Sequence, residues 1–167
     1  MSIELKDFSM HKNIEIKTNR LFLRTLKEDD ASLLKDYIDE VETEEEALEW
    51  IRGMNHAVMF YVWLTETNEI IGRVYIHSKA DLNGEVEIGY WTVEEQRNKG
   101  YATEAARAVV QFAFEQAGQE ELVAIVSREN ISSRRVVEKL GFEYCGVRTV
   151  WDNDENREFD YFKLYPC

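Results

Sequence analysis

Gln96-Arg97-Asn98-Lys99-Gly100-Tyr101-Ala102 is the stretch on which the reading of this chain turns. A strand ending near Val93 precedes it, and a long amphipathic helix from about Lys99 to Ala117 follows. In that helix Tyr101, Ala105, Ala108 and Phe112 fall at steps of 4, 3 and 4. Glu104, Arg107, Gln111 and Glu115 take the opposite face, and Gly118 ends the helix. A strand entering a glycine-containing turn and then a helix leaves the first helical N–H groups without partners. Those donors, with the positive end of the helix dipole, form an anion site. Gly100 lets the backbone come close to an anion, and Ala102 is too small to block it. Arg97 and Lys99 supply positive charge. Taken alone, the segment reads equally well as an ordinary helix start with basic residues. It is neither a Walker loop nor a Gly-x-Gly-x-x-Gly dinucleotide fingerprint.

Outward from this loop, strands and helices alternate. Arg20 to Thr25 reads as a short strand, with Leu21 and Leu23 on one side. A helix is predicted from about Glu28 to Glu40, its apolar stripe made by Leu33, Leu34, Tyr37, Ile38 and Val41. Thr43-Glu44-Glu45-Glu46 is a capping box that opens a second helix carrying Ala47, Trp50, Ile51 and Met54. Strands follow at Val58 to Leu64, Ile70 to His77 and Glu85 to Val93, joined by short turns that imply an antiparallel meander. After the long helix, Leu122 to Val126 is an almost unbroken apolar strand, the pattern of one buried on both faces. Ile131 to Leu140 is a shorter helix stopped by Gly141. Phe142 to Trp151 and Glu158 to Tyr165 form a last hairpin about Asp152 to Asn156. The order βααβββαβαββ predicts a mixed α/β (α+β) fold with helices on both faces of the sheet.

The chain has 167 residues, 20 Lys and Arg against 33 Asp and Glu, and a net charge of −13. Its length suits a single domain over 1–167, with no repeat or Pro-rich hinge to divide it. The 44% hydrophobic content supports a core and argues against a disordered acidic chain. Net acidity argues against nucleic-acid binding, which needs clustered Lys and Arg. No apolar run is long enough to span a membrane, and the opening to Lys12 lacks a signal-peptide core, so a cytoplasmic protein is expected. Cys145 and Cys167 are isolated and expected to be reduced, and His11, His56 and His77 are scattered, so no metal site is expected. Seven acids and no base between Asp39 and Glu49 invite a cationic substrate, but acids in a first helical turn already stabilise its dipole.

Arg97-x-x-Gly100-x-Ala102 matches the Q/R-x-x-G-x-G/A signature of the GCN5-related N-acetyltransferases (GNAT), which bind acetyl-coenzyme A. Glu87-Ile88-Gly89-Tyr90-Trp91 and Gly100-Tyr101-Ala102-Thr103-Glu104-Ala105 resemble the RimJ/RimL-type subgroup that acts on ribosomal-protein N-termini. Asn130-x-x-Ser133-x-x-Val136-x-Glu138-Lys139-x-Gly141-Phe142 resembles the same family's second signature, and Thr18-Asn19-Arg20-Leu21-Phe22-Leu23-Arg24 its first strand. The resemblance covers about 14–165. It implies a mostly antiparallel sheet of about seven strands whose central pair splays apart to admit the cofactor's pantetheine arm. The main chain at Trp91, Thr92 and Val93 would contact that arm. The pyrophosphate would rest on the N–H groups of Arg97, Asn98, Lys99, Gly100, Tyr101, Ala102 and Thr103, and Asn130 would bond near the arm or simply cap its helix.

Acetyl transfer requires a neutral amine, a polarised thioester carbonyl and a stabilised thiolate. Backbone donors at the opening between the strands could hold the developing oxyanion, worth about 3 kcal/mol per good donor. Alternation puts Glu85 and Glu87 on one face, opposite Val86, Ile88 and Tyr90, and Glu87 is the candidate base, directly or through water. Many family members carry a Tyr seven residues after the motif Asn; this chain has Val137 there. Ser133 is the remaining hydroxyl and the candidate near the thiol, with a helix-start role as the alternative. The expected activity is direct acetyl transfer from acetyl-coenzyme A to a primary amine, such as a ribosomal-protein N-terminus. A polyamine or aminoglycoside-like amine, a non-catalytic coenzyme A sensor and an acidic interaction protein are the competing readings. A homodimer is the assembly expected of such an enzyme.

Overall fold

The computed structural model describes residues 2–37 and 41–167. Eight strands form one sheet: β1 (Glu15–Lys17), β2 (Leu21–Thr25), β3 (Ala57–Leu64), β4 (Glu69–Ser78), β5 (Val86–Thr92), β6 (Leu122–Val126), β7 (Glu143–Asp152) and β8 (Glu155–Leu164). They lie in the order β1-β2-β3-β4-β5-β6-β8-β7. The β5–β6 contact is parallel and all the other pairs are antiparallel. The additional strand is β1, three residues with one half-buried side chain, too short to give an alternating pattern.

Four α-helices, α1 (Ala31–Leu34), α2 (Glu44–Arg52), α3 (Tyr101–Glu115) and α4 (Ile131–Lys139), cover both faces. On one face α3 lays Ala105, Ala106, Val109, Phe112 and Ala113 onto the core residues of β2 to β5. Phe112 meets Phe60 edge-on, ring centroids 5.2 Å apart. On the other face α1 and α2 pack Ala31, Leu34 and Ala47 against Met59 and Tyr61. The capping box forms as read: the Thr43 hydroxyl accepts from the Glu46 N–H at 3.1 Å, and Glu46 accepts from the Thr43 N–H.

The predicted helix from Glu28 to Glu40 is much shorter. A 3-10 turn over Glu28–Asp30 leads into α1, which is a single turn. Its start is set by Asp30, buried and held by both guanidinium nitrogens of Arg24 (2.7 and 2.8 Å) and by the Lys27 N–H at 2.7 Å. A tertiary ion pair fixes that turn where periodicity alone would have run a helix through it. The last residues of the predicted span, 38–40, lie outside the described residues. The final hairpin is also tighter than read, because Asn153 and Asp154 both take positive φ (49° and 64°) and close a two-residue turn.

Candidate active site

At the end of β5 the chain makes a 3-10 turn over Glu94–Gln96 and enters the loop that precedes α3. Asn98 (φ 64°) and Gly100 (φ 81°) adopt left-handed backbone, which turns successive N–H groups toward one side. The Arg97 N–H bonds Glu94 O at 3.2 Å, and the Glu104 N–H bonds Gly100 O at 3.1 Å. Between them, the N–H groups of Asn98, Lys99, Gly100, Tyr101, Ala102 and Thr103 find no acceptor among the described residues. Six unpartnered donors at the positive end of a fifteen-residue helix suit a diphosphate. The Arg97 side chain caps the end of β5 through Thr92 O (2.9 Å), and Lys99 reaches Gln96 Oε1 (2.9 Å). Neither cation meets a carboxylate among the described residues, so both charges remain available in an otherwise acidic molecule.

A clamp that sequence reading missed holds this loop. Glu104 belongs by periodicity to the outer face of α3, yet it is half-buried. It accepts from the Thr18 hydroxyl (2.6 Å), the Arg20 N–H (2.9 Å) and Arg20 Nε (2.7 Å). Arg20 also donates to Lys99 O at 2.9 Å and lies 4.4 Å over the Tyr101 ring. Burial works to raise the Glu104 carboxyl, but the Thr18 and Arg20 hydrogen bonds outweigh it and hold it below its ordinary value. The pairing also cancels a negative charge that would otherwise face the anion site.

The opening beside this loop lies between β5 and β6. The two strands pair at one position, Glu87 with Val123, and separate beyond it. Val93 N–H donates to Ile71 O at 2.8 Å, and a Cβ on Gly72 would come within 2.2 Å of Trp91 O. The main chain of Trp91 and Val93 therefore turns to β4, and by alternation Tyr90 and Thr92 face the opening. Asn130 caps α4, its Oδ1 accepting from the Ser133 N–H at 3.0 Å. Ser133 in turn meets β5: its Oγ is 2.8 Å from the Tyr90 hydroxyl, which also reaches Ser133 O at 3.0 Å. Burial pushes the Tyr90 phenol up to about 12, against the Ser133 hydrogen bond that lowers it. Tyr90 is thus a neutral phenol bridging the opening, a partner for Ser133 that no local spacing reveals. Val137, in the position of the missing family Tyr, is fully buried.

Across β5, on the face away from α3, Glu87 is buried at the root of the opening. Its carboxylate accepts from His77 Nε2 at 2.9 Å, with Lys79 Nζ at 3.5 Å. In the neutral tautomer that carries its proton on Nε2, His77 Nδ1 holds the free lone pair, and the His77 side chain is 28% exposed against 10% for Glu87. Tyr75 stands edge-on to His77 with its ring over Gly89, where any side chain would clash with the Tyr75 ring at 2.3 Å. Glu85, on the same face, is bonded by the Tyr161 hydroxyl and lies 3.4 Å from Lys163 Nζ. It is a structural pair and leaves Glu87 as the carboxylate next to the opening. No grouping of three or more His, Cys, Asp or Glu placed to hold a metal occurs among the described residues. A cavity of about 290 Å³ lies at the other end of β3, lined by Phe8, Leu26, Ile51, Met54 and Met59, and touches none of these groups.

A strand pair forced open beside a helix whose first amides are bare is the architecture of an enzyme that takes its acyl group from a long, phosphorylated carrier. The sequence pattern described as "Acetyltransferase (GNAT) domain" matches residues 20–143. A Bacillus subtilis (strain 168) relative named as the uncharacterised N-acetyltransferase YnaD is 30% identical over 146 residues, covering 80% of this chain and 85% of its own. The structure of the ribosomal-protein-S5-alanine acetyltransferase of Vibrio fischeri superposes with a TM-score of 0.74 at 17% identity, covering 92% of this chain and 97% of the other. A point mutant of the Vibrio cholerae spermidine N-acetyltransferase SpeG gives 0.71 at 16% identity, covering 89% and 95%. At such identities these two structures speak for the fold alone. The chain belongs to the GNAT family and is an N-acetyltransferase, and acetyl-coenzyme A is the acyl donor that this family uses.

Proposed function

We propose that this chain acetylates the α-amine of a protein or peptide by direct attack of the amine on the thioester of acetyl-coenzyme A. The observation that carries the reading is the pair of proton-handling groups on opposite sides of one opening. Glu87 with His77 lies on the side open to an acceptor, and Ser133 with Tyr90 on the α3 side, above the row of bare amides. The donor supplies an acetyl thioester; everything else falls to side chains and backbone of this chain. Amides 98–103 and Arg97 anchor the diphosphate. Thr92 and Asn130 border the arm, Trp91 and Val93 fix β5 against β4, and Gly100 keeps the backbone low under the phosphates. On the acceptor side His77 Nδ1 takes the ammonium proton while Glu87 holds the ring and stabilises its charged form. The nitrogen then bonds to the acetyl carbon as the carbon–sulfur bond breaks; the sulfur keeps the electron pair, and the nitrogen's second proton leaves to solvent. Ser133, ordered by Tyr90, hydrogen-bonds that sulfur, and the proton it gives returns from solvent.

A protein N-terminus is favoured over a polyamine by the acceptor face itself, where Lys79, His77 and Arg73 accompany the acids, while Glu44, Glu45 and Glu46 are exposed first-turn residues of α2. The ribosomal-protein acetyltransferase among the structural neighbours fits this reading, and the spermidine enzyme is its competitor. Incubating the protein with acetyl-coenzyme A and a panel of N-terminal peptides, spermidine and an aminoglycoside decides between them. Acetylated peptide α-amine is expected. Acetylation of spermidine alone would replace the acceptor, and coenzyme A binding without any acetylated product would make the chain a sensor.

A further inference from the structure

Three buried polar atoms on the face away from α3 have no partner among the described residues: Glu85 Oε1, an acceptor whose other oxygen is bonded by Tyr161, and two donors farther along the sheet, the Tyr61 hydroxyl and Arg73 Nε. The two donors belong to neighbouring strands at one level of the sheet, for Tyr61 pairs with Arg73, and Arg73 pairs on its other side with Trp91. Tyr61 is 2% exposed, yet its hydroxyl bonds nothing. Burial raises its pKa, with Arg73 working the other way, so it is a neutral donor. Arg73 is half-buried, with its guanidinium 6.0 Å from the Trp91 ring, and no carboxylate of the described residues lies within ion-pair distance of it. In a chain of net charge −13 that is an unusual position for an arginine. The neighbouring cation is already matched, since Arg24, which pairs with Tyr61 from β2, holds Asp30.

The Tyr61 oxygen can accept from Arg73, but neither group meets a carboxylate among the described residues, and burying them so is costly unless a negative oxygen arrives from outside. One unmatched guanidinium balances a single negative charge, which suits a carboxylate better than a phosphate dianion. The level of Arg73 and Trp91 is two residues along the sheet from Tyr75 and Gly89, where the strands open, a spacing of about 6–7 Å. That is the reach from an N-terminal amine to an acidic side chain on the next residue. We infer that the acceptor is an N-terminal amine followed by an acidic second residue, whose carboxylate is bound by Arg73 and Tyr61. This rests on the transfer reading above and narrows it to a class of acceptor.

The test compares two short peptides beginning Ala-Asp and Ala-Asn and otherwise identical, with free alanine, alaninamide and spermidine alongside, all with acetyl-coenzyme A. The Asp peptide is expected to exceed the Asn peptide in kcat/KM by about tenfold or more, chiefly through KM. Arg73→Gln should erase that preference by weakening the Asp peptide, and Tyr61→Phe, which keeps the ring packing, should reduce it in part. Equal use of the two peptides, preference for spermidine, or a preference that survives in Arg73→Gln overturns the inference. Free alanine favoured over both peptides in an Arg73-dependent way overturns the second-residue placement. If no amine is acetylated, the transfer reading falls, and a binding comparison still judges this one. Thermal stabilisation of the coenzyme A-loaded protein by the N-acetylated Asp peptide, absent with the Asn peptide and lost in Arg73→Gln, supports it. No difference between the two peptides overturns it.

Discussion

Along β5 the side chains alternate between two different environments. Val86, Ile88 and Tyr90 face α3, where they join Phe60, Val109 and Phe112 in an apolar core and one hydroxyl, that of Tyr90, reaches the opening. Glu85, Glu87, Gly89 and Trp91 face the other way, onto Tyr61, Arg73, Tyr75, His77 and Lys79. The first face stabilises the fold and positions the carrier loop. The second concentrates titratable groups, three of them (Tyr61, Arg73 and Glu85) with unpartnered atoms. A sheet that stored its polar side chains on one face only for solubility would expose them, and here most are buried or half-buried. Polar groups held under cover at an expense in stability are candidates for chemistry and recognition.

The contrast can be broken from its apolar side. Phe112→Ala removes a fully buried ring that meets Phe60, and chemical denaturation should find a loss of about 3–5 kcal/mol. Tyr61→Phe removes a hydroxyl that bonds nothing, and the same measurement should change by less than about 1 kcal/mol. Matching losses in the two variants would mean that the faces do not differ in kind. On the polar side, Glu87→Gln should cut kcat by about 100-fold or more while leaving coenzyme A affinity near the parent value. Parallel losses in both would return Glu87 to a packing role.

Gly100 tests the carrier loop. Its φ of 81° strains any β-branched replacement, and a Cβ would sit 3.3 Å from Arg20 Nη2. Gly100→Val should weaken acetyl-coenzyme A binding about tenfold and cost roughly 1–2 kcal/mol of stability. Unchanged affinity by calorimetry would remove the loop from the site. Ser133→Ala should lower turnover by several-fold, with a smaller change in affinity for the donor; equal turnover would leave Ser133 as a helix-start residue. The smallest effect concerns acid. Glu104 and Asp30 are held below their ordinary values of 4.5 and 3.8. Burial opposes both shifts; the Thr18 and Arg20 bonds overcome it for Glu104, and the Arg24 and Lys27 bonds for Asp30. Their contribution is complete above those ordinary values and is lost as pH falls through the lower folded ones. Denaturation midpoints in Glu104→Gln should therefore lose part of their dependence on pH below about 4.5.

The two faces were also unequally legible in the sequence. The candidate carrier loop was readable because an anion site of that kind would use neighbours in the chain: a strand end, a glycine turn and a helix start within ten residues. Leu122–Val126 and the capping box at Thr43 were readable for the same reason, each being a local pattern. The acceptor face is built from register. Tyr61, Arg73 and Trp91 come together only because β3, β4 and β5 pair as they do, and a shift of one residue in any pair would separate them. Glu104 was misread because helical periodicity assigns faces without knowing that Thr18 and Arg20 wait on β2's approach. The start of the helix after Glu28 was placed too early because the Arg24–Asp30 pair, six residues apart, holds a 3-10 turn there.

The central claim is that the bare amides before and within the first turn of α3 hold the diphosphate of coenzyme A. Titrating the 15N-labelled protein with coenzyme A and following amide shifts tests it directly. The account predicts saturable changes largest at Asn98 to Thr103, with smaller ones along Tyr90 to Thr92 and at Ser133. Saturable binding that leaves Asn98 to Thr103 unmoved would contradict it.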